Sequence, residues 1–346
     1  MEDAFGTATR HMSSRANRLF WYLIATGILV GLVYVSDYRA FARVLFGSAP
    51  GYIALTVLCG CFTLLMWSVV WHRFFGLLEI RIRFRESLRL LLAGTFLNAM
   101  TPLGRFGGEP FVAHFISSRT DSTFPQALSS VSSSDLSNAF PFVTFGTIAI
   151  LYTVVFGTIG SVVADIVPWV AVLLVASVLA VYLLWFGGLQ SAFGYADGFV
   201  GGGFGFGRWQ PYVESFKEKG RKVLSRMRDV GDNPRQVVPT LIVSHVAVLG
   251  HIGALYFSML AVGADPVPET VLLVVALSTV LTFSPTPGSV GTFEAGFAGL
   301  LVLFFPVAGA TATSIAILYR IGTYLPGVVF GYVSLVSLNH TGLSGE

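Results

Sequence analysis

The sequence predicts an all-α, polytopic membrane protein with six full spans and two re-entrant helical hairpins inserted from opposite faces. Three observations predict it. Apolar residues make up 54% of the 346 residues and charged residues 11%, with a mean hydropathy of +0.74, whereas a soluble domain carries roughly 25% charged residues. Several runs of about 20 residues are almost free of charge, the length that crosses a hydrocarbon core of roughly 30 Å. Two further apolar segments are broken near the middle by proline and glycine, and each then carries a glutamate.

The full spans come first. Residues 1–18 hold Arg10, Arg15 and Arg18, and no clean small-residue cleavage site follows the apolar run 19–36, so it reads as a retained first span. Further spans are predicted at 52–71, 125–156, 162–187, 236–262 and 311–338. Cys59 and Cys61 sit two apart in the second of these. That spacing points them to different helix faces and argues for packing rather than a shared metal or a disulfide. Between the fourth and fifth spans, the loop 188–235 begins with the glycine–aromatic stretch GYADGFVGGGFGFG. No strand precedes it and no Lys-Ser/Thr follows, so it is not a phosphate loop. Residues 212–230 read as a basic amphipathic helix on the membrane surface.

The interrupted segments are 86–118, broken at NAMTPLGRFGGEPF, and 269–304, broken at FSPTPGSVGTFEAGF. As helix, 86–100 reaches about 22 Å and 109–118 about 15 Å, so neither crosses alone. Charge decides how they run. With both as hairpins and the N-terminus in the cytoplasm, cytoplasmic stretches hold 16 Lys/Arg and outer loops only Arg39 and Arg43. If 86–118 crossed once, the basic loop 188–235 would move outside, against the positive-inside tendency. The first hairpin then enters from the cytoplasm and the second from the outer face. This is the mark of an inverted repeat, here about 52–156 and 236–338, with the site at the repeat interface. The local sequences agree, because Pro102 is followed seven residues on by Glu109, and Pro287 by Glu294, with glycines between.

An ionisable group at membrane depth costs on the order of 2.5–3.5 kcal/mol even on the lenient scale. The ones kept are therefore candidates. Glu109 and Glu294 are expected in the first turn of each second half-helix. There they either cap free N–H groups or flank a polar cavity that takes a cation, proton or amine. Arg105 is expected in the glycine turn, where exposed N–H groups of Gly107 and Gly108, mirrored by Gly288 and Gly291, suit an anion. Its alternative is an ion pair with Glu109 or Glu294. Arg320, beside Tyr319 and Tyr324, is either counter-charge to a carboxylate or a second phosphate ligand. Asp135 lies in the serine-rich SSVSSSDLSNAF, which serves close helix packing or a water-lined path. With His114 and Tyr324 it marks a second polar path. His245 and His251 are six apart and cannot chelate one metal together. No metal site and no cofactor are predicted.

At three places, TPLGRFGGEP (101–110), SPTPGSVGTFEAG (284–296) and LYRIGTYLPGVVFG (318–331), the chain resembles the flippase-like transmembrane family. That family forms the membrane domain of lysylphosphatidylglycerol synthases and also stands alone. The resemblance implies movement of lipids with polar headgroups between leaflets, with Arg105, Glu109, Glu294 and Arg320 in the translocation site. Many relatives carry an arginine a few residues after the first glutamate, where this chain has EPFVAHF and His114. No segment reads as an aminoacyl-transfer domain, so no enzyme activity is expected.

The predicted function is translocation of a polar-headgroup or phosphate-linked lipid through a midplane site between the hairpins. The protein would sit in the cell membrane with both termini cytoplasmic. The alternatives are an ion- or proton-coupled carrier of a small soluble anion and, less favoured, a lipid-linked sugar transferase. Membrane lipid is the expected partner and nucleic acid is not. Small-residue spacings such as Gly27–Gly31 and Gly327–Gly331 suit helix packing within one chain or in a homo-oligomer.

Overall fold

The computed structural model describes residues 38–101, 105–156, 234–284 and 286–341, with isolated positions at 26–27, 30–31, 34 and 172. Ten α-helices appear among them. They are α1 (Tyr38–Phe46), α2 (Pro50–Leu77), α3 (Phe84–Met100), α4 (Arg105–Ser117), α5 (Phe124–Phe156), α6 (Pro234–Ala261), α7 (Pro268–Leu281), α8 (Thr292–Phe304), α9 (Gly309–Thr323) and α10 (Leu325–Thr341). The expected spans at 19–36 and 162–187, and the surface helix at 212–230, lie outside the described residues but for those isolated positions.

Five stretches are long and apolar enough to cross a bilayer: Pro50–Leu77, Phe124–Thr153, Val237–Ala261, Pro287–Phe304 and Gly309–Leu338. The protein is therefore an all-α, polytopic membrane protein. Exposed apolar stripes on these helices agree. On α6, Val238, Ile242, Val246 and Leu249 are all exposed and recur every three or four residues, the spacing of one helix face. Leu55, Leu58, Phe62 and Leu65 do the same on α2. In water such stripes would be costly; against lipid they are the required surface.

Helix ends follow local chemistry. Pro50 and Pro268 each open a helix, at the position where a missing N–H is harmless. Gln126 and Glu86 reach back to the backbone N–H groups of Thr123 and Arg83, each at 2.9 Å, fixing the starts of α5 and α3.

One expectation needs correcting, and two others gain detail. The turn expected around Arg105 to Gly108 is shorter, because α4 already begins at Arg105. Gly107 and Gly108 are helical, each at a cost of about 1 kcal/mol against alanine, and Glu109 falls beyond the first turn. The span expected at 311–338 falls within the apolar stretch Gly309–Leu338, which is made of two helices meeting at Tyr324. Pro326 has no N–H to give the Gly322 carbonyl, so the helical ladder is interrupted there. The segment carrying Arg39 and Arg43 forms the short helix α1, which packs against α9.

The chain divides into two units. The first comprises residues 1–61, 93–108 and 251–333. In it α7 packs on α8 and α8 on α9. Helices α2 and α9 touch backbone to backbone, for a side chain on Gly60 would run into the Gly322 carbonyl and one on Gly322 would meet the Thr56 carbonyl at 2.8 Å. The second unit comprises 62–92, 109–250 and 334–346. Val70, Phe74, Leu78 and Val237 form an apolar cluster there. Small hydroxyls tie its helices together: Thr63 donates to the Ala247 carbonyl at 3.1 Å, and Ser244 to the Ser137 carbonyl at 2.8 Å. Such bonds contribute about 0.6 kcal/mol each in a membrane.

Candidate functional site

The site is built on the break between α7 and α8, in the first unit. Helix α7 stops at Leu281 and the chain turns through a 3₁₀ turn, Pro287–Ser289, before α8 starts at Thr292. Three residues of this turn are left-handed: Gly288 (φ 58°), Ser289 (φ 57°) and Gly291 (φ 83°). Glycine adopts that region freely, whereas for other residues it costs about 1–2 kcal/mol. The Ser289 hydroxyl anchors its own strained backbone by donating to the Thr282 carbonyl at 2.9 Å. Ser284, Thr286 and Thr292 close a ring of hydroxyls, with Ser284–Thr286 and Thr286–Thr292 both at 3.0 Å and Thr292 donating to Ser284. No lipid could supply these polar partners, so the turn supplies its own.

Glu294 is the third residue of α8, as the sequence predicts, and is buried. One carboxylate oxygen accepts the Gly291 N–H at 2.6 Å, while the other accepts Nε of Arg320 at 2.9 Å. Arg320 Nη2 donates to the Gly288 carbonyl at 2.8 Å. The guanidinium thus joins both ends of the turn. It also lies between two rings, its central carbon 4.8 Å from the Phe293 centroid and 3.8 Å from that of Tyr324, a favourable setting for a desolvated cation. Nη1 donates to none of the described atoms. The two side chains are only 13% and 7% exposed.

Beneath the arginine, Phe293, Phe297 and Tyr319 stack, with Phe297 and Tyr319 centroids 4.7 Å apart. The Tyr324 hydroxyl fills the space beside Gly288, where an added Cβ would strike it and would sit 3.1 Å from the Ala99 carbonyl. Of the sequence candidates, the structure therefore gathers Gly288, Gly291, Glu294, Arg320 and Tyr324. It also adds Ser284, Thr286, Ser289, Thr292 and Phe293, which the sequence reading missed. Their signal was the density of Ser and Thr between the two helices, a composition that favours side-chain-to-backbone turns.

Residues 22–331 match the family described as the lysylphosphatidylglycerol synthase TM region. The chain belongs to this family. Two UPF0104 membrane proteins of Methanothermobacter thermautotrophicus are similar to it. One is 24% identical over 335 residues, covering 90% of this chain and 91% of the relative, and the other is 22% identical over 271, covering 76% and 77%. A UPF0104 membrane protein of Pyrococcus horikoshii is 29% identical over 102 residues, 29% of this chain and 30% of the relative. All three motifs that carry the resemblance fall inside the family's span. A flippase-like role in lipid transport matches the family and the fold, and that role is transport rather than catalysis. Among the described residues, no group of three or more His, Cys, Asp or Glu could hold a metal.

The remaining candidates fall elsewhere. Arg105 opens α4, in the first unit, and its side chain lies outside the described atoms. Glu109, His114 and Asp135 belong to the second unit. Ser132 donates to Glu109 Oε2 at 2.9 Å, Asp135 is half-buried on α5, and His114 is exposed on α4. Ser130, Ser133 and Ser137 are fully buried, and their hydroxyls have no hydrogen-bond partner among the described residues.

Proposed function

We propose that this protein moves a lipid with a phosphate-bearing headgroup between leaflets, holding the headgroup at the α7–α8 break while the acyl chains stay in lipid. One observation carries the reading. A buried Glu294–Arg320 pair spans a hydroxyl-lined helix break, and the arginine retains N–H donors at Nη1 that no described atom uses. A guanidinium with a free edge suits a phosphate oxygen, and Glu294 keeps the empty site electrically balanced.

The finer architecture proposed is two re-entrant hairpins, α3–α4 and α7–α8, as halves of an inverted repeat with both termini cytoplasmic. Helix α7 has 14 residues, about 20 Å and too short to cross alone, and the 3₁₀ turn Pro287–Ser289 with its left-handed Gly288 interrupts the stretch that leads into α8. Arg119 donates to the Leu338 carbonyl, and the Ala49 N–H to the Ala261 carbonyl at 2.9 Å. Each contact brings together chain ends that this arrangement puts on one membrane face. In this scheme Arg105 and Glu109 are the counterpart set of the first hairpin. Asp135 and His114 mark a polar path in the second unit, where Ser130, Ser133 and Ser137, without hydrogen-bond partners among the described residues, favour water, and Tyr324 serves the α7–α8 break.

The test is mass spectrometry of lipids retained by the purified protein, wild type against Arg105→Ala, Glu294→Gln and Arg320→Lys. One lipid class enriched over the host membrane, and lost in the folded variants, is expected. Bulk lipid unchanged by all three would remove the headgroup site and favour a carrier of soluble anions.

A further inference from the structure

In the second unit, the connection between α2 and α3 frames an open groove of about 870 Å³. It forms because α2 ends abruptly. The Ile80 N–H returns to the Phe75 carbonyl at 2.8 Å and the Glu79 N–H to the Gly76 carbonyl at 3.2 Å, the two bonds of a Schellman closure. That closure needs a left-handed residue, normally glycine, and here Glu79 takes it with φ 62°. Residues 80–83 then form no regular secondary structure before α3 begins. Arg81 and Arg83 are both exposed and both line the groove, while Ile80 is buried at its base.

The charges there are mostly unspent. Neither guanidinium is engaged by any described residue. Of the two carboxylates on the groove, Glu86 is occupied by the Arg83 backbone N–H, leaving Glu79 alone. His72 also lines the groove, its ring held edge-on by Phe84 at 5.7 Å. Its Nδ1 is buried without a hydrogen-bond partner among the described residues, an arrangement that a buried ring nitrogen keeps only at a cost.

We propose that this groove binds the phosphate of an anionic membrane lipid where α2 leaves the hydrocarbon. The place fits, since α2 is a 28-residue apolar helix and the groove starts at its last turns. The chemistry fits too. Two neighbouring guanidiniums and a ring N–H can share one phosphate, and the half-buried Ile82 gives an apolar contact for the glycerol end. Orienting a membrane protein needs only arginines somewhere in the loop. It does not need a groove, a left-handed glutamate or a ring nitrogen waiting for a partner.

The experiment is native mass spectrometry of the full chain titrated with phosphatidylglycerol, with phosphatidylcholine of the same acyl chains, and with inorganic phosphate. Wild type is expected to prefer phosphatidylglycerol, and Arg81→Gln with Arg83→Gln to lose about fivefold for each guanidinium. These side chains are exposed, so the variant keeps its fold. His72→Phe, which keeps the ring contact, weakens the preference as well. Arg73→Gln with Arg89→Gln changes the same number of exposed charges off the groove and keeps it. Equal retention of both lipids by wild type would overturn the proposal, as would equal losses in groove and control variants. Displacement of the lipid by millimolar phosphate alone would assign the site to the free anion and overturn the lipid. The loss follows Arg81 and Arg83 and not Arg320 or Glu294, so the result stands or falls apart from the translocation reading.

Discussion

Arg320 is a cation in an environment that expels cations, and each of its contacts compensates for that. Removing one partner of a buried pair leaves the other uncompensated, at about 3–5 kcal/mol. Arg320→Ala is therefore expected to lower the melting temperature in detergent sharply. Arg320→Lys keeps a charge but loses the fork that reaches Glu294 and Gly288 together and weakens the ring contacts. It should melt near wild type and yet retain no enriched lipid. If both variants melt alike and retain lipid alike, the pair is structural filling. Gly288 allows a sharper test. An alanine there must adopt a left-handed backbone and displace the Tyr324 hydroxyl, at about 1–2 kcal/mol for the backbone alone. Pairing Gly288→Ala with Tyr324→Phe should recover the steric part of the loss and not the backbone part. Recovery of nothing would mean that the hydroxyl does not set the glycine requirement.

At the scale of elements, what the sequence disclosed depended on the range of the signal. Glu294 at the third position of α8 follows from Gly291 and three residues of spacing, which is local. The long apolar helices follow from hydropathy, which is also local. Helix α1 was missed because nine residues with Arg39 and Arg43 among the apolar ones fall below any spanning window. The first hairpin's turn was drawn too long because Gly107 and Gly108 were read as breakers, while two glycines followed by a good helical run can still be helical. The α2–α9 crossing was invisible, since nothing near Gly60 announces Gly322 as its neighbour. That crossing yields a graded prediction. Gly322→Ala, two residues from Arg320, should destabilise because its Cβ meets the Thr56 backbone, whereas Gly299→Ala on α8 enters open space and should stabilise by about 0.5–1 kcal/mol. Thermal shifts of the same sign for both would refute the backbone contact.

For the whole molecule, the proposed mechanism stands on the way the chain threads the membrane. A headgroup site between two hairpins requires that each hairpin return to the face it entered, and that the two enter from opposite faces. Lengths and charge favour this arrangement over one in which 86–118 crosses, and the two schemes predict opposite locations for the same residues. In cells carrying a chain with Cys59 and Cys61 replaced by alanine, single cysteines at Arg85 and Thr120 bracket the first hairpin, and cysteines at Asp265 and Val307 bracket the second. If both hairpins return, a membrane-impermeant maleimide labels positions 265 and 307 in intact cells, and 85 and 120 only after permeabilisation. If 86–118 crosses, 85 and 120 separate. The inverted repeat then fails, and Arg105 and Glu109 lose their place as counterpart of the Glu294 site. The Glu294–Arg320 pair would survive that result, because its geometry is set within α7, α8 and α9. Translocation would then have to be worked by one broken helix rather than two.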